Sequence, residues 1–94
     1  VSATEAKQLG FVNEVVSTGD ALAAAIRWAQ MILECSPMAV RASKQAVYRG
    51  LDEMSLESAV RTIYPAQKAN LESLDYVEGP KAFAEKRKPR WQNR

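Results

Sequence analysis

Residues 21–35 read ALAAAIRWAQMILEC, and the spacing of their apolar side chains decides the class of the protein. Leu22, Ile26, Ala29 and Leu33 recur at helical spacing on one side. Trp28, Met31 and Cys35 form a second apolar flank, which leaves Arg27, Gln30 and Glu34 as the polar stripe. The pattern predicts a helix from Ala21 to about Glu34, N-capped by Asp20. A helix that is apolar around most of its circumference needs cover on more than one face. With 94 residues in all, the remaining sequence holds too little apolar material to supply it. Further protein, either more of the same chain or another subunit, is therefore expected against Trp28 and Met31.

The flanking sequence is also helical in pattern. Upstream, Ser2 and Glu5 have capping-box spacing and Gly10 supplies a left-handed stop, predicting a helix over residues 3–9. Phe11–Val16 alternates and ends in two β-branched residues, which predicts a short extended segment before the turn at Thr18–Asp20. Downstream, Ser36-Pro37 reads as an N-cap followed by proline at the first helical position. Gly50 is placed as the stop, so a helix is expected over 37–49 with Ala39, Val40, Ser43, Ala46 and Val47 inward. Ser55 caps a fourth helix with Leu56, Ala59, Val60 and Ile63 on its apolar side, broken or kinked near Pro65. Ser73 caps one turn ending at Gly79, and Pro80 opens a last short helix through about Lys86. The fold class expected from the residues is mainly α.

Composition excludes several functions. Without a histidine, the chain holds no Ser-His-Asp triad, Cys-His pair or histidine metal site. The single Cys35 makes no internal disulfide; it reads as an inert buried thiol and fits a reducing, cytoplasmic setting. Arg27, Gln30 and Glu34 interrupt the longest apolar run, so no membrane span is expected. The chain starts at Val1 with no initiator methionine or signal peptide, and reads as a cut inside a longer protein. The carboxylate pairs Glu53/Glu57 and Glu72/Asp75 read as solvated or capping groups, leaving no credible active site.

Charge is uneven. Residues 1–80 carry seven basic and ten acidic side chains, a balance of −3, whereas residues 81–94 carry six basic side chains and Glu85, a balance of +5. A basic end attracts phosphate groups. Within it, the run EGPKAFAEKR at 78–87 places Phe83 and Lys86 three apart, on one face of a short helix. An aromatic surface beside a cation suits a nucleotide whose base stacks while its phosphate meets the ammonium. The alternative is that Phe83 anchors the helix to the core and Lys86 is solvated. No nucleic-acid-binding motif accompanies the basic end, so nucleic acid is not an expected partner.

Three stretches in order, TEAKQLGFVNEVV at 4–16, SPMAVRASKQAVYRGLD at 36–52 and SLDYVEGPKAFAEKRKPRW at 73–91, resemble the C-terminal third of the enoyl-CoA hydratase/isomerase, or crotonase, family. The resemblance implies that residues 1–94 are the helical, oligomer-building region of an α/β fold whose core of spiralled ββα units is absent here. It also implies a homotrimer or hexamer acting on acyl-CoA. In that family two backbone N–H groups hold the thioester carbonyl and one or two carboxylates move protons, all upstream of the matched stretch, so no residue here inherits a catalytic role. By the same resemblance Phe83 and Lys86 reach the coenzyme A nucleotide of a neighbouring subunit, Phe83 near adenine and Lys86 near phosphate, while Arg87 is structural or solvated. No prosthetic group is implied beyond the coenzyme A moiety of the substrate. Leu74, where the family often carries an acid, and Pro65, within a helix that is commonly continuous, depart from the pattern. The competing reading is a stand-alone helical interaction module without a ligand.

Overall fold

Ser2 and Glu5 form the expected capping box. The Ser2 N–H donates to Glu5 Oε2 at 2.6 Å, and the Glu5 N–H donates to Ser2 Oγ at 3.2 Å. In the computed structural model, which describes residues 1–94, this cap opens α1 (Ala3–Gln8), one of six helices. No strand is present. The chain divides into two compact units, residues 1–31 and 32–94.

In the first unit α1 ends in a Schellman turn. Gly10, at φ +81°, donates its N–H to the Lys7 carbonyl, and the Phe11 N–H reaches back to Ala6. The segment 11–16, expected to be extended, forms no helix and joins no ladder, since no other strand exists to pair with it. Glu14 instead ties this loop to α2 (Ala21–Leu33). It accepts from the Arg27 guanidinium at 2.5 and 2.6 Å and from Trp28 Nε1 at 2.8 Å. The indole N–H first, and then the guanidinium, hold the Glu14 carboxyl below its usual range. Within α2 only Ala24 is buried; Leu22, Ile26, Trp28, Met31, Ile32 and Leu33 are exposed.

The second unit is built on α3 (Pro37–Gly50), against which α4 (Leu56–Arg61) and α5 (Pro65–Leu71) pack. Ser36 caps α3 as expected, its Oγ accepting from the Ala39 N–H. Gly50 does not stop the helix. It is the last helical residue, lying where an added Cβ would stand 3.7 Å from Ala59, and Leu51 closes the turn in right-handed conformation. The inward side of α3 centres on buried Ala42, with Gln45 also turned in, whereas Ser43 and Val47 are exposed. The reason is a capping contact: Gln45 Oε1 accepts from the Ala66 N–H at 2.8 Å, serving the start of α5, where Tyr64 provides no side-chain cap.

Pro65 breaks the helix as expected. Thr62 and Tyr64 are extended, and Pro65 restarts the helix at its first turn, where a missing N–H costs nothing. Leu56, Val60 and Ile63 are exposed, and Tyr64 is the large apolar residue that goes inside. The last expectation fails in a different way. Residues 74–84 form one helix, α6 (Leu74–Ala84), with Pro80 in its interior. Gly79 precedes that proline and has no Cβ to clash with its ring, which removes part of the usual bar to continuing.

Candidate functional site

Ser73 caps α6 through the Tyr76 N–H, and the next acid, Asp75, is buried to 2% exposure. A carboxylate that deep must be satisfied on both oxygens. Oδ1 accepts from the Gln92 N–H at 2.6 Å; Oδ2 accepts from the Ser36 hydroxyl at 3.1 Å and the Asn93 N–H at 3.2 Å. The Leu74 N–H donates to the Arg94 carbonyl at 2.7 Å, and the Trp91 indole donates to the Glu34 carbonyl at 3.0 Å. The tail after α6 is thereby folded back along the helix that precedes it. Asp75 joins the start of α3, the start of α6 and the tail.

Glu78, one turn further on, is the second tie. Arg87 grips it with both guanidinium arms, at 2.5 and 3.0 Å, while its Nε reaches Glu85 at 2.5 Å. The Arg90 N–H adds a bond to Glu78 at 2.7 Å. The Arg87 fork first, and then the Arg90 amide, hold the Glu78 carboxyl down at about 2. Glu78 and Glu85 reciprocally raise Arg87 above its ordinary range.

Phe83 and Lys86 both stand at the C-terminal end of α6, though not on one helical face. The helix ends at Ala84, Glu85 caps it, and Lys86 lies beyond it at φ +52°. The Lys86 N–H donates to the Phe83 carbonyl at 3.1 Å and the Arg87 N–H to the Ala82 carbonyl at 3.0 Å. This is the bonding pattern that ends α1, with lysine where α1 uses Gly10. Left-handed backbone costs a residue with a Cβ about 1–2 kcal/mol. Phe83 is 86% exposed, so it does not anchor the helix to the core; buried Ala82 does. Lys86 is exposed and makes no ion pair, and Arg87 is committed to Glu78 and Glu85. The arrangement leaves an open aromatic ring on the last turn of α6 and, three residues on, a lysine without an ion pair, as Lys88 also is.

The other sites considered from the sequence are not assembled into chemistry. Glu53 accepts from the Ser58 and Tyr64 hydroxyls, and Glu57 pairs with Arg61 one turn away. Burial first, and then the charge of Glu53, raises the Tyr64 phenol. Cys35 is exposed rather than buried, because it follows the end of α2 in the turn before Ser36. No helix is long and apolar enough to cross a membrane. Sequence reasoning missed Asp75 and Glu78 as ties, since their partners lie 9 to 39 residues away and no local spacing signals them.

A profile of the enoyl-CoA hydratase/isomerase family matches residues 1–94. The chain is 41% identical, over 101 aligned residues and its whole length, to carnitinyl-CoA dehydratase of Salmonella typhi. It superposes at a TM-score of 0.91, with 35% identity over 99% of its length, on an enoyl-CoA hydratase/isomerase from Mycobacterium paratuberculosis. A short-chain enoyl-CoA hydratase from Novosphingobium aromaticivorans matches at 0.91 with 37% identity over the full chain. The chain spans 37% of the length of the Salmonella relative and 36% and 37% of the two solved chains.

Proposed function

We propose, from the premise that this chain belongs to the enoyl-CoA hydratase/isomerase family, that it works as the C-terminal helical region of a longer enzyme acting on acyl-CoA thioesters. Its six helices are then the helical part of a crotonase-type fold. Its part in the chemistry is assembly and binding. The oxyanion-hole amides and proton-moving carboxylates belong to the rest of the enzyme, and the acyl-CoA itself is the only cofactor-like partner.

The observation that carries this reading is Phe83, an aromatic ring left almost wholly in solvent beside Lys86. An isolated chain gains nothing from such a ring, whereas a nucleotide gains a stacking surface and a cation for its phosphate. Adenine lies on Phe83 and a phosphate at Lys86 Nζ in this reading. The exposed apolar residues of α2, Leu22 and Ile26 among them, call for further protein, from the rest of the chain or from neighbouring subunits, and a homotrimer or hexamer is the assembly proposed here. A cytoplasmic location belongs to the same reading and is supported by a lone cysteine in a disulfide-free chain.

The test is acyl-CoA binding by the full-length protein. Phe83→Ala should raise Kd roughly tenfold, the order of one lost base–aromatic stack. Lys86→Ala should raise it about threefold, as expected for an exposed ion pair. Unchanged affinity in both variants removes the nucleotide role, and a monomer in sedimentation removes the assembly role.

A further inference from the structure

Lys86 stands in a left-handed conformation that lysine alone does not favour, and the groups that hold it there are identifiable. On its C-terminal side Arg87 spans from Glu85 Oε2 to both oxygens of Glu78. On its N-terminal side the Phe83 carbonyl takes the Lys86 N–H. Glu78 also receives the Arg90 N–H, so the chain leaving Lys86 is tied at two points to a carboxylate two turns back on α6. Strained backbone persists only where its surroundings over-determine it. Glycine relieves the same strain in the turn after α1, but glycine carries no ammonium.

We propose that Glu78 and Arg87 are positioning residues for the nucleotide end of the acyl-CoA: their ion pair holds Lys86 left-handed, beside the open ring of Phe83. This rests on the nucleotide reading of Phe83 and Lys86 given above. The brace does two things at once. It fixes the backbone from which the Lys86 side chain departs, and it engages the adjacent guanidinium while Lys86 itself makes no ion pair. Without the brace, Lys86 relaxes toward the right-handed region, and apparent affinity falls in proportion to the competent fraction.

The discriminating experiment compares two ligands in the full-length protein: an acyl-CoA, and the same acyl group on pantetheine, which has no nucleotide. Glu78→Gln keeps an acceptor for the Arg90 N–H but loses the ion pair, and Arg87→Lys keeps the charge but loses the fork. Each should weaken acyl-CoA binding about fivefold, the preference of an unbraced residue against left-handed backbone, and leave the pantetheine thioester unaffected. A crystal structure of the Glu78→Gln protein should show residue 86 at negative φ.

Equal losses for both thioesters would mean a merely structural role and overturn the proposal. So would unchanged acyl-CoA affinity in both brace variants alongside a loss in Lys86→Ala. If Phe83→Ala and Lys86→Ala themselves change nothing, the nucleotide reading fails first and takes the brace with it, a result distinguishable from failure of the brace alone.

Discussion

Replacing Asp75 with alanine removes the acceptor shared by Ser36, Gln92 and Asn93. The partners differ in what they lose. Gln92 and Asn93 are exposed, so their amides find water, and each forfeits only the net value of a bond. Ser36 is buried, and its hydroxyl proton is left without an acceptor. Bonds to a charged group are worth roughly 1.5–3 kcal/mol and an orphaned buried donor costs about 1–3 kcal/mol, so Asp75→Ala should destabilise by about 2–4 kcal/mol after the amides rehydrate. Asp75→Asn keeps one oxygen for the Gln92 and Asn93 amides but turns an NH2 toward Ser36, whose hydroxyl proton still loses its acceptor, so about 1–3 kcal/mol is expected. Urea unfolding supplies the free energies, and hydrogen exchange at Leu74, Gln92 and Asn93 reports the tail. The alanine variant should lose protection at all three amides before global unfolding. A loss under about 0.5 kcal/mol, within the range of ordinary surface substitutions, would refute the reasoning, as would unchanged protection of the tail.

Two further outcomes follow from the helix ends and from titration. Gly10→Ala forces a Cβ into φ +81° with no neighbouring atom within 4 Å, so backbone strain alone should cost about 1 kcal/mol in thermal or urea unfolding; Lys86→Gly, at φ +52°, should be neutral or stabilising by up to about 1 kcal/mol. Destabilisation by Lys86→Gly would contradict the strain assigned there. Glu78 has its carboxyl lowered from 4.5 to about 2 in the folded chain, so its contribution to stability is complete above about 4.5 and disappears as pH falls toward 2. An acid titration of stability should show a decline in that window that is smaller in Glu78→Gln; identical profiles would show that the Arg87 pair does not link folding to protons.

The parts of the fold legible in the sequence are those set by neighbours a few residues apart. Ser2 with Glu5, Ser36 with Pro37, Ser55, and Pro65 each act through a backbone group within one turn, and each marks the helix end where it stands. The misreadings share a different cause. Pro80 reads as a helix start because proline usually breaks what precedes it, yet Gly79 accommodates the ring, and Asp75 and Glu78, before it in α6, are tied to the tail that follows. Phe11–Val16 alternates like a strand, but alternation without a partner strand makes no ladder. At the candidate site, spacing put Phe83 and Lys86 on one helical face, but Lys86 lies beyond the end of α6 in a left-handed turn, and the Glu78–Arg87 pair across nine residues has no local signal. Residues with helical propensity at such a turn disguise it as more helix.

The brevity of α4 and α5, six and seven residues, has a consequence for how the second unit comes apart. Neither reaches the roughly 12–15 residues at which a helix begins to sustain itself in water, so α4 depends on α3, and α5 depends chiefly on α3 with a smaller contact to α6. Local opening of α3 therefore dissolves all three together, and their amides share one opening free energy rather than fraying in sequence. The bonds of Gln45 to the Ala66 N–H and of Tyr64 to Glu53 should be lost in that same opening.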